Sequence, residues 1–421
     1  MRMKARSAAA AARLGPRPLA QHLAMAGLSW LGSAAAWRIW SGVSGGSKAL
    51  PENLARTAPD LASALAEIDP AAFAGALEAE AMRRLDRLAE GIERYRGHGY
   101  RRKLAEPPAV WREGSTALLD YRQPAKRRKA SRRPALLVVP SLVNRAYVLD
   151  LEPGRSFMRF LAGAGFDPFL VDWDAPGEVE RRFTLTDYIA GRLEGALAAV
   201  GRAAPGQPIL LIGYCMGGDL ALTLALRRQG DLAGLALLAT PWDFHAERAG
   251  QAIALGALGE SIAPVVEAAG ELSVDAIQAL FGALDPMQVI RKFLAFAALD
   301  PTSGKASSFV ALEDWVNDGV PLAAAVAIEC LTDWYGRNTT LRGEWRVAGK
   351  PVLPQALDLP ALVVLPGHDR IVPPGSAAAL ARAIPRAVEL APEAGHIGMV
   401  VGGSAEAKLW RPLADWLAAR G

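Results

Sequence analysis

Cysteine is scarce. Cys215 and Cys330 are the only two in 421 residues, so at most one disulfide can form and a cross-linked framework is excluded. Histidine is scarce too, with five in the chain. Charge imbalance is small: 47 basic and 43 acidic residues leave a formal net charge of +4, although the basic excess lies before residue 135. The mildly apolar Ala/Leu/Trp stretch at residues 23–43 lacks a long leucine core. Ser29, Ser33, Arg38 and Ser41 interrupt it and make it too polar for a transmembrane span. The basic run Lys126, Arg127, Arg128, Lys129, Arg132 and Arg133 has no interleaved aromatics and no accompanying nucleic-acid motif, which excludes DNA binding. No metal site and no cofactor is expected. What remains is a globular composition, 51% hydrophobic and 21% charged, long enough for one large core or two moderate ones and unlike a disordered or fibrous chain.

The informative stretch is Ile209–Leu222. An apolar run enters Gly213-Tyr214-Cys215-Met216-Gly217-Gly218 and leaves as an Ala/Leu-rich helix. This is the pattern of a nucleophile elbow, in which the nucleophile occupies a strained strand-to-helix bend and the flanking glycines avoid collisions that a Cβ would cause. Cysteine stands where serine is usual. The turn puts the Met216 N–H at a helix N-terminus, where it can face a developing oxyanion. A thiol nucleophile must stay reduced, so a cytoplasmic location is expected, against the signal-peptide reading of Met1-Arg2-Met3-Lys4-Ala5-Arg6 and the apolar stretch after it.

Taken in order, residues 1–50 read either as a floppy extension or as an interfacial helix using Trp30, Trp37, Ile39 and Trp40. Residues 51–107 read as a helical lead-in, with Phe73, Leu77, Met82, Leu85, Leu88, Ile92 and Tyr95 at helical spacing and Gly97 and Gly99 ending it. An α/β core is expected over 108–241 and 350–421. Its strands are read at Ser115–Tyr121, Ala135–Pro140, Phe166–Trp173, Ile209 onward, Leu232–Ala239, Ala361–Leu365 and Ala387–Leu390, alternating with helices as in a largely parallel sheet. The basic run between the first two strands reads as a solvated loop, or as a surface for coenzyme phosphates or another anionic partner. Residues 242–349, helical and apolar, read as an inserted cap.

Asp369 follows one late strand in Pro366-Gly367-His368-Asp369, and His396 follows the next in Glu393-Ala394-Gly395-His396. Nucleophile, acid and histidine therefore occur in the chain order of the α/β-hydrolase fold, with helices on both faces of a mostly parallel sheet. Cys215, Asp369 and His396 are the predicted triad, His368 being the weaker candidate for the base. The loop Ser141-Leu142-Val143-Asn144 after the second strand supplies the other oxyanion N–H in that fold, with Val143 as the candidate donor beside Met216.

Several pieces together resemble the polyhydroxyalkanoate synthase family. They are Tyr214-Cys215-Met216-Gly217-Gly218, Asn144 with Tyr147–Leu151 and Pro153, Phe169–Trp173, Asp369 with Val372-Pro373, Gly395–Gly398, and the return from the cap at Trp334-Tyr335, Asn338 and Gly343-Glu344. The resemblance covers about residues 95–420 and is nearest to synthases that work with a small second subunit. Arg370 departs from the family pattern, and so do the basic run and the Trp-containing start. The resemblance implies transfer of (R)-3-hydroxyacyl groups from coenzyme A to a polyester, contact with a polyester granule surface in the cytoplasm, a small partner subunit and a homodimer. Alternative expectations are a cysteine hydrolase (a depolymerase, a thioesterase, or an enzyme resembling dienelactone hydrolase) and a non-catalytic granule-binding protein.

Overall fold

The computed structural model describes residues 13–40, 56–122 and 134–420, so the basic run from Lys126 to Arg133 lies outside the described residues. The chain forms two compact units. One is the chain up to Tyr100 together with Gln278–Asn317; the other is Arg101–Ile277 with Asp318–Gly421.

The second unit is built on an eight-stranded sheet. Its strands are β1 (Ala109–Glu113), β2 (Thr116–Asp120), β3 (Ala135–Val139), β4 (Asp167–Asp172), β5 (Ile209–Tyr214), β6 (Gly234–Leu238), β7 (Ala361–Val364) and β8 (Ala387–Leu390), in the spatial order β1-β2-β4-β3-β5-β6-β7-β8. β1, β2 and β4 pair antiparallel, and every other neighbour is parallel. Every residue of β3, β5, β6 and β7 is buried, as a parallel strand covered on both faces requires. Their sequences are accordingly uninterrupted apolar runs. β1 lies outside the strands read from the sequence. It is an edge strand exposed along most of its length, so neither alternation nor an apolar run marks it, and Gly114 at φ 58° makes the turn into β2.

Because β5, β6, β7 and β8 run parallel, their C-terminal ends share one edge of the sheet. Val139 lies opposite Gly213, Tyr214 opposite Leu238, and Val364 opposite both Leu238 and Leu390. Residues that follow β5, β7 and β8 are thereby gathered at this edge. After β6 comes a 21-residue helix, Ala249–Ala269, against which the helix Ala324–Glu329 and the π-helical turn Cys330–Gly336 pack. The approach is close: a Cβ on Gly256 would stand 2.3 Å from the Gly336 Cα.

The helical unit has a core of Ala26, Leu88, Ile92, Tyr95, Ile290, Phe293, Phe296, Ala306 and Val310. Its long helix, Pro70–Gly97, starts where Asp69 accepts hydrogen bonds from the Ala71 and Ala72 N–H groups with Pro70 at the first position, an efficient N-terminal stop. Two expectations change here. Residues 278–317 belong with the lead-in, so the insertion 242–349 is not one body. The segment Leu19–Trp40, read as extension or interfacial anchor, is a helix packed within this unit through buried Ala26 and Ala34. The Trp37 Nε1 donates to the Pro70 carbonyl at 3.0 Å, and its ring meets Phe73 edge-on at 4.7 Å. Arg84 lies over the Trp30 ring, while Ile39 is exposed. Its buried positions are His22, Ala26 and Ala34, two of them alanines, so the helix reads from the sequence as weakly hydrophobic.

Candidate active site

β5 ends at Tyr214, and Cys215 follows with φ 55° and ψ −133°, a conformation that non-glycine residues rarely adopt. The chain then enters the helix Met216–Arg227 at once. What holds the bend is contact on both sides. The Cys215 N–H donates to the Leu238 carbonyl at 2.9 Å, and the Gly218 N–H donates to the Cys215 carbonyl at 2.8 Å. A Cβ on Gly213 would sit 2.5 Å from the Gly218 Cα, and one on Gly217 would sit 2.3 Å from the Val139 carbonyl oxygen. Either side chain would push the helix off the sheet.

Asp369 lies in the loop after β7, buried, with its two oxygens in different roles. Oδ1 accepts from the Ile371 and Val372 N–H groups at 2.8 and 2.9 Å; Oδ2 is 2.6 Å from His396 Nδ1. The backbone bonds fix the carboxylate, and the carboxylate fixes the ring. Tyr214 stacks on the imidazole at 5.3 Å between centroids and donates its hydroxyl to the His396 carbonyl at 3.2 Å. With Nδ1 engaged, Nε2 is left for the Cys215 side chain, which is hydrogen-bonded to His396. Burial alone would pull the imidazole down, but the Cys215 charge, the hydrogen bonds to Asp369 and Cys215, and the Asp369 charge push it up to about 10. Such an arrangement can form a thiolate–imidazolium pair, attack an acyl carbon and move a proton to or from an oxygen.

The other predicted positions divide. The Met216 N–H stands at the first helical position, where the helix itself supplies no acceptor. The Val143 N–H donates to Ser141 Oγ at 3.0 Å, so this expected second oxyanion donor is engaged in the local turn. His368 is exposed, 3.2 Å from Glu393, and apart from the relay. Cys330 is partly buried and is the first residue of the π-helical turn. Burial, with the Glu329 and Asp219 charges, pushes its thiol well up.

Two features escaped the sequence. The loop after β6 is latched to the return from the cap: Asn338 Nδ2 donates to Asp243 Oδ1 at 2.8 Å, the Phe244 N–H donates to Asn338 Oδ1 at 3.0 Å, and Thr340 Oγ1 donates to the Trp242 carbonyl at 2.5 Å. The second is Asp219, fully buried on the elbow helix. A lone charged residue in Met216–Leu226 is the signal that could have marked it.

A cysteine on a strand-to-helix elbow, with a histidine and an aspartate brought to it from the ends of parallel strands, is the arrangement of an α/β-hydrolase-fold protein, and the profile of the alpha/beta hydrolase fold family matches residues 134–402. A poly(3-hydroxyalkanoate) polymerase subunit PhaC from Synechocystis is 30% identical over 293 residues, 68% of this chain and 78% of that one. The PhaC subunits of Haloarcula marismortui and Haloferax mediterranei are 29% and 27% identical over 68% and 74% of this chain. The chain belongs to the polyhydroxyalkanoate synthase family. Its matches span 61% and 63% of the Haloarcula and Haloferax proteins.

Proposed function

We propose that this protein transfers (R)-3-hydroxyacyl groups from coenzyme A to a growing polyester through Cys215. The observation that carries the reading is the Cys215–His396–Asp369 relay, with Asp369 Oδ2 2.6 Å from His396 Nδ1, in a chain whose named relatives are polyhydroxyalkanoate polymerases.

In this mechanism the Cys215 thiolate attacks the thioester carbon, and the tetrahedral intermediate collapses to a cysteinyl thioester. Coenzyme A leaves as its thiol, taking the proton held by His396. The acyl group remains a thioester and keeps its activation. His396 then removes the proton of an incoming hydroxyl, whose oxygen attacks the cysteinyl thioester and lengthens the chain by one ester, returning the sulfur as thiolate beside imidazolium. Asp369 holds Nδ1 protonated throughout, so Nε2 remains the exchanging atom. The Met216 N–H faces the oxyanion, and one such donor contributes about 3 kcal/mol. Exclusion of water is the cap's task, since water would release a free hydroxy acid.

The reading places the protein in the cytoplasm, at the surface of an apolar polyester, working as a homodimer with a small second subunit. Helix Ala249–Ala269 supports the surface contact, because it exposes Ile253, Leu258 and Val265. Incubation of the purified protein with 3-hydroxybutyryl-CoA, with and without a small synthase subunit, separates the outcomes. Polymer plus free coenzyme A is expected. Free hydroxy acid would make the protein a hydrolase, and no release of coenzyme A would make it a binding protein.

A further inference from the structure

The elbow helix carries one acidic residue that the proposed chemistry does not use. Asp219 is 0% exposed, and neither carboxyl oxygen has a hydrogen-bond partner among the described residues. No lysine, arginine or histidine among the described residues forms an ion pair with it. It follows Cys215, the residue that caps the helix Met216–Arg227, by four residues and so lies at the end of that helix's first turn. The groups electrostatically linked to it are few: Cys215 from the elbow, and Cys330 and Tyr335 from the π-helical turn Cys330–Gly336. All of them are neutral or negative, and none offers a compensating positive charge.

A carboxylate cannot remain ionised in such a place. Out of contact with solvent and with no cation paired to it among the described residues, the charged form loses its solvation and gains no more than its own backbone N–H, so the group takes up a proton instead. Burial pushes the carboxyl well above its ordinary range, and the charge on Cys215 pushes it further. We propose that Asp219 is a positioning residue acting through Cys215: its carboxyl is kept neutral one turn from the nucleophile, and its proton is linked to the charge on that sulfur. This rests on the reading of Cys215 as the nucleophile.

The linkage works in both directions. A neutral Asp219 leaves the thiolate facing only the His396 imidazolium, whereas an ionised one would set a second negative charge beside it and return the sulfur toward the thiol. Conversely, each acylation turns the thiolate into an uncharged thioester and removes the repulsion that helps hold the Asp219 proton. The carboxyl therefore holds its proton most tightly in the resting enzyme and less tightly in the acyl-enzyme.

Infrared difference spectroscopy on the full chain tests this, in a Cys330→Ala background so that alkylation reports Cys215 alone. Spectra of the parent and of Asp219→Asn are recorded across pH, before and after treatment with iodoacetamide, and peptide mass mapping verifies the labelled residue. At neutral pH the parent should show the C=O band of a protonated carboxyl that Asp219→Asn lacks. Alkylation, which replaces a chargeable sulfur with a neutral thioether, should lower the pH at which that band disappears by about one unit, a tenfold loss of proton affinity. A purely structural Asp219 would show no such response. Should Asp219→Asn fail to fold, Cys215→Ala gives the same comparison, its band disappearing at lower pH than the parent's. An Asp219 carboxylate already ionised at neutral pH would overturn the proposal, as would a band indifferent to the state of Cys215. Failure of the nucleophile reading has a different signature, acyl transfer that persists in Cys215→Ala.

Discussion

Replacing Asp369 with asparagine isolates one function of the relay. Oδ1 accepts two backbone N–H bonds at 2.8 and 2.9 Å, which would pin the amide oxygen of the variant at that end. The amide nitrogen would then occupy the Oδ2 position, 2.6 Å from His396 Nδ1. Two donors cannot face each other there, so the imidazole must turn Nδ1 into an acceptor and carry its proton on Nε2, toward Cys215. In that tautomer it cannot take the thiol proton. The same substitution in the serine-protease triad lowers turnover about 10^4-fold, equivalent to about 5.5 kcal/mol of barrier. A loss of that order is expected here in the initial rate of coenzyme A release from 3-hydroxybutyryl-CoA. Folding should be nearly untouched, because both backbone hydrogen bonds survive the change. Activity within about tenfold of wild type would refute the orienting role, and an equal loss accompanied by a collapsed melting transition would show that Asp369 builds the loop instead.

Gly217→Ala should destabilise strongly, by about 3 kcal/mol or more, since the new methyl would lie 2.3 Å from a backbone oxygen that cannot move; a melting temperature within a degree or two of wild type would contradict this. Cys330→Ala should keep its activity and lose about 1 kcal/mol, and brief alkylation of the wild type should label Cys215 first; equal labelling of both thiols would count against the nucleophile assignment. His396 binds its proton more tightly when folded, so its contribution to stability is full below about pH 6.5 and disappears as the pH rises through about 10. The melting difference between wild type and His396→Gln should therefore shrink over that range, and a widening gap would show the opposite linkage. Deleting residues 1–45 should unfold the helical unit, because it removes the buried Ala26 and Ala34 and the Arg13–Asp314 ion pair at 2.6 Å; a soluble truncated protein with unchanged melting would restore the reading of this segment as a free extension.

The sheet's centre was legible because burial on both faces writes itself as unbroken apolar runs: Ala135–Val139, Ile209–Tyr214, Gly234–Leu238 and Ala361–Val364 all lie within strands read from the sequence. The grouping of the candidate site was legible because the elbow's glycines and the chain order of Cys215, Asp369 and His396 are signals present in the sequence itself. β1 was not, since an exposed edge strand obeys no burial pattern. Nor was the pairing of Gln278–Asn317 with the lead-in, which joins segments nearly two hundred residues apart through Phe293 and Tyr95, residues whose spacing says only that each faces some core. The engagement of the Val143 N–H by Ser141 depends on a turn geometry that Ser141-Leu142-Val143 does not dictate. Asp219 went unread, although it is the lone charged residue in Met216–Leu226, and what makes it consequential is that neither carboxyl oxygen has a hydrogen-bond partner among the described residues, which only the packed structure reveals.

The proposed chemistry requires Cys215 to carry the acyl group. Full-length protein mixed with 3-hydroxybutyryl-CoA, quenched in acid within the first turnovers and digested, should yield a peptide spanning Cys215 heavier by a 3-hydroxybutyryl group, with the added mass removed by hydroxylamine as expected of a thioester. Asp369→Asn should accumulate it more slowly and Cys215→Ala not at all. Polymer formed with Cys215 unmodified at every time, or an acyl group found on Cys330, would contradict the account.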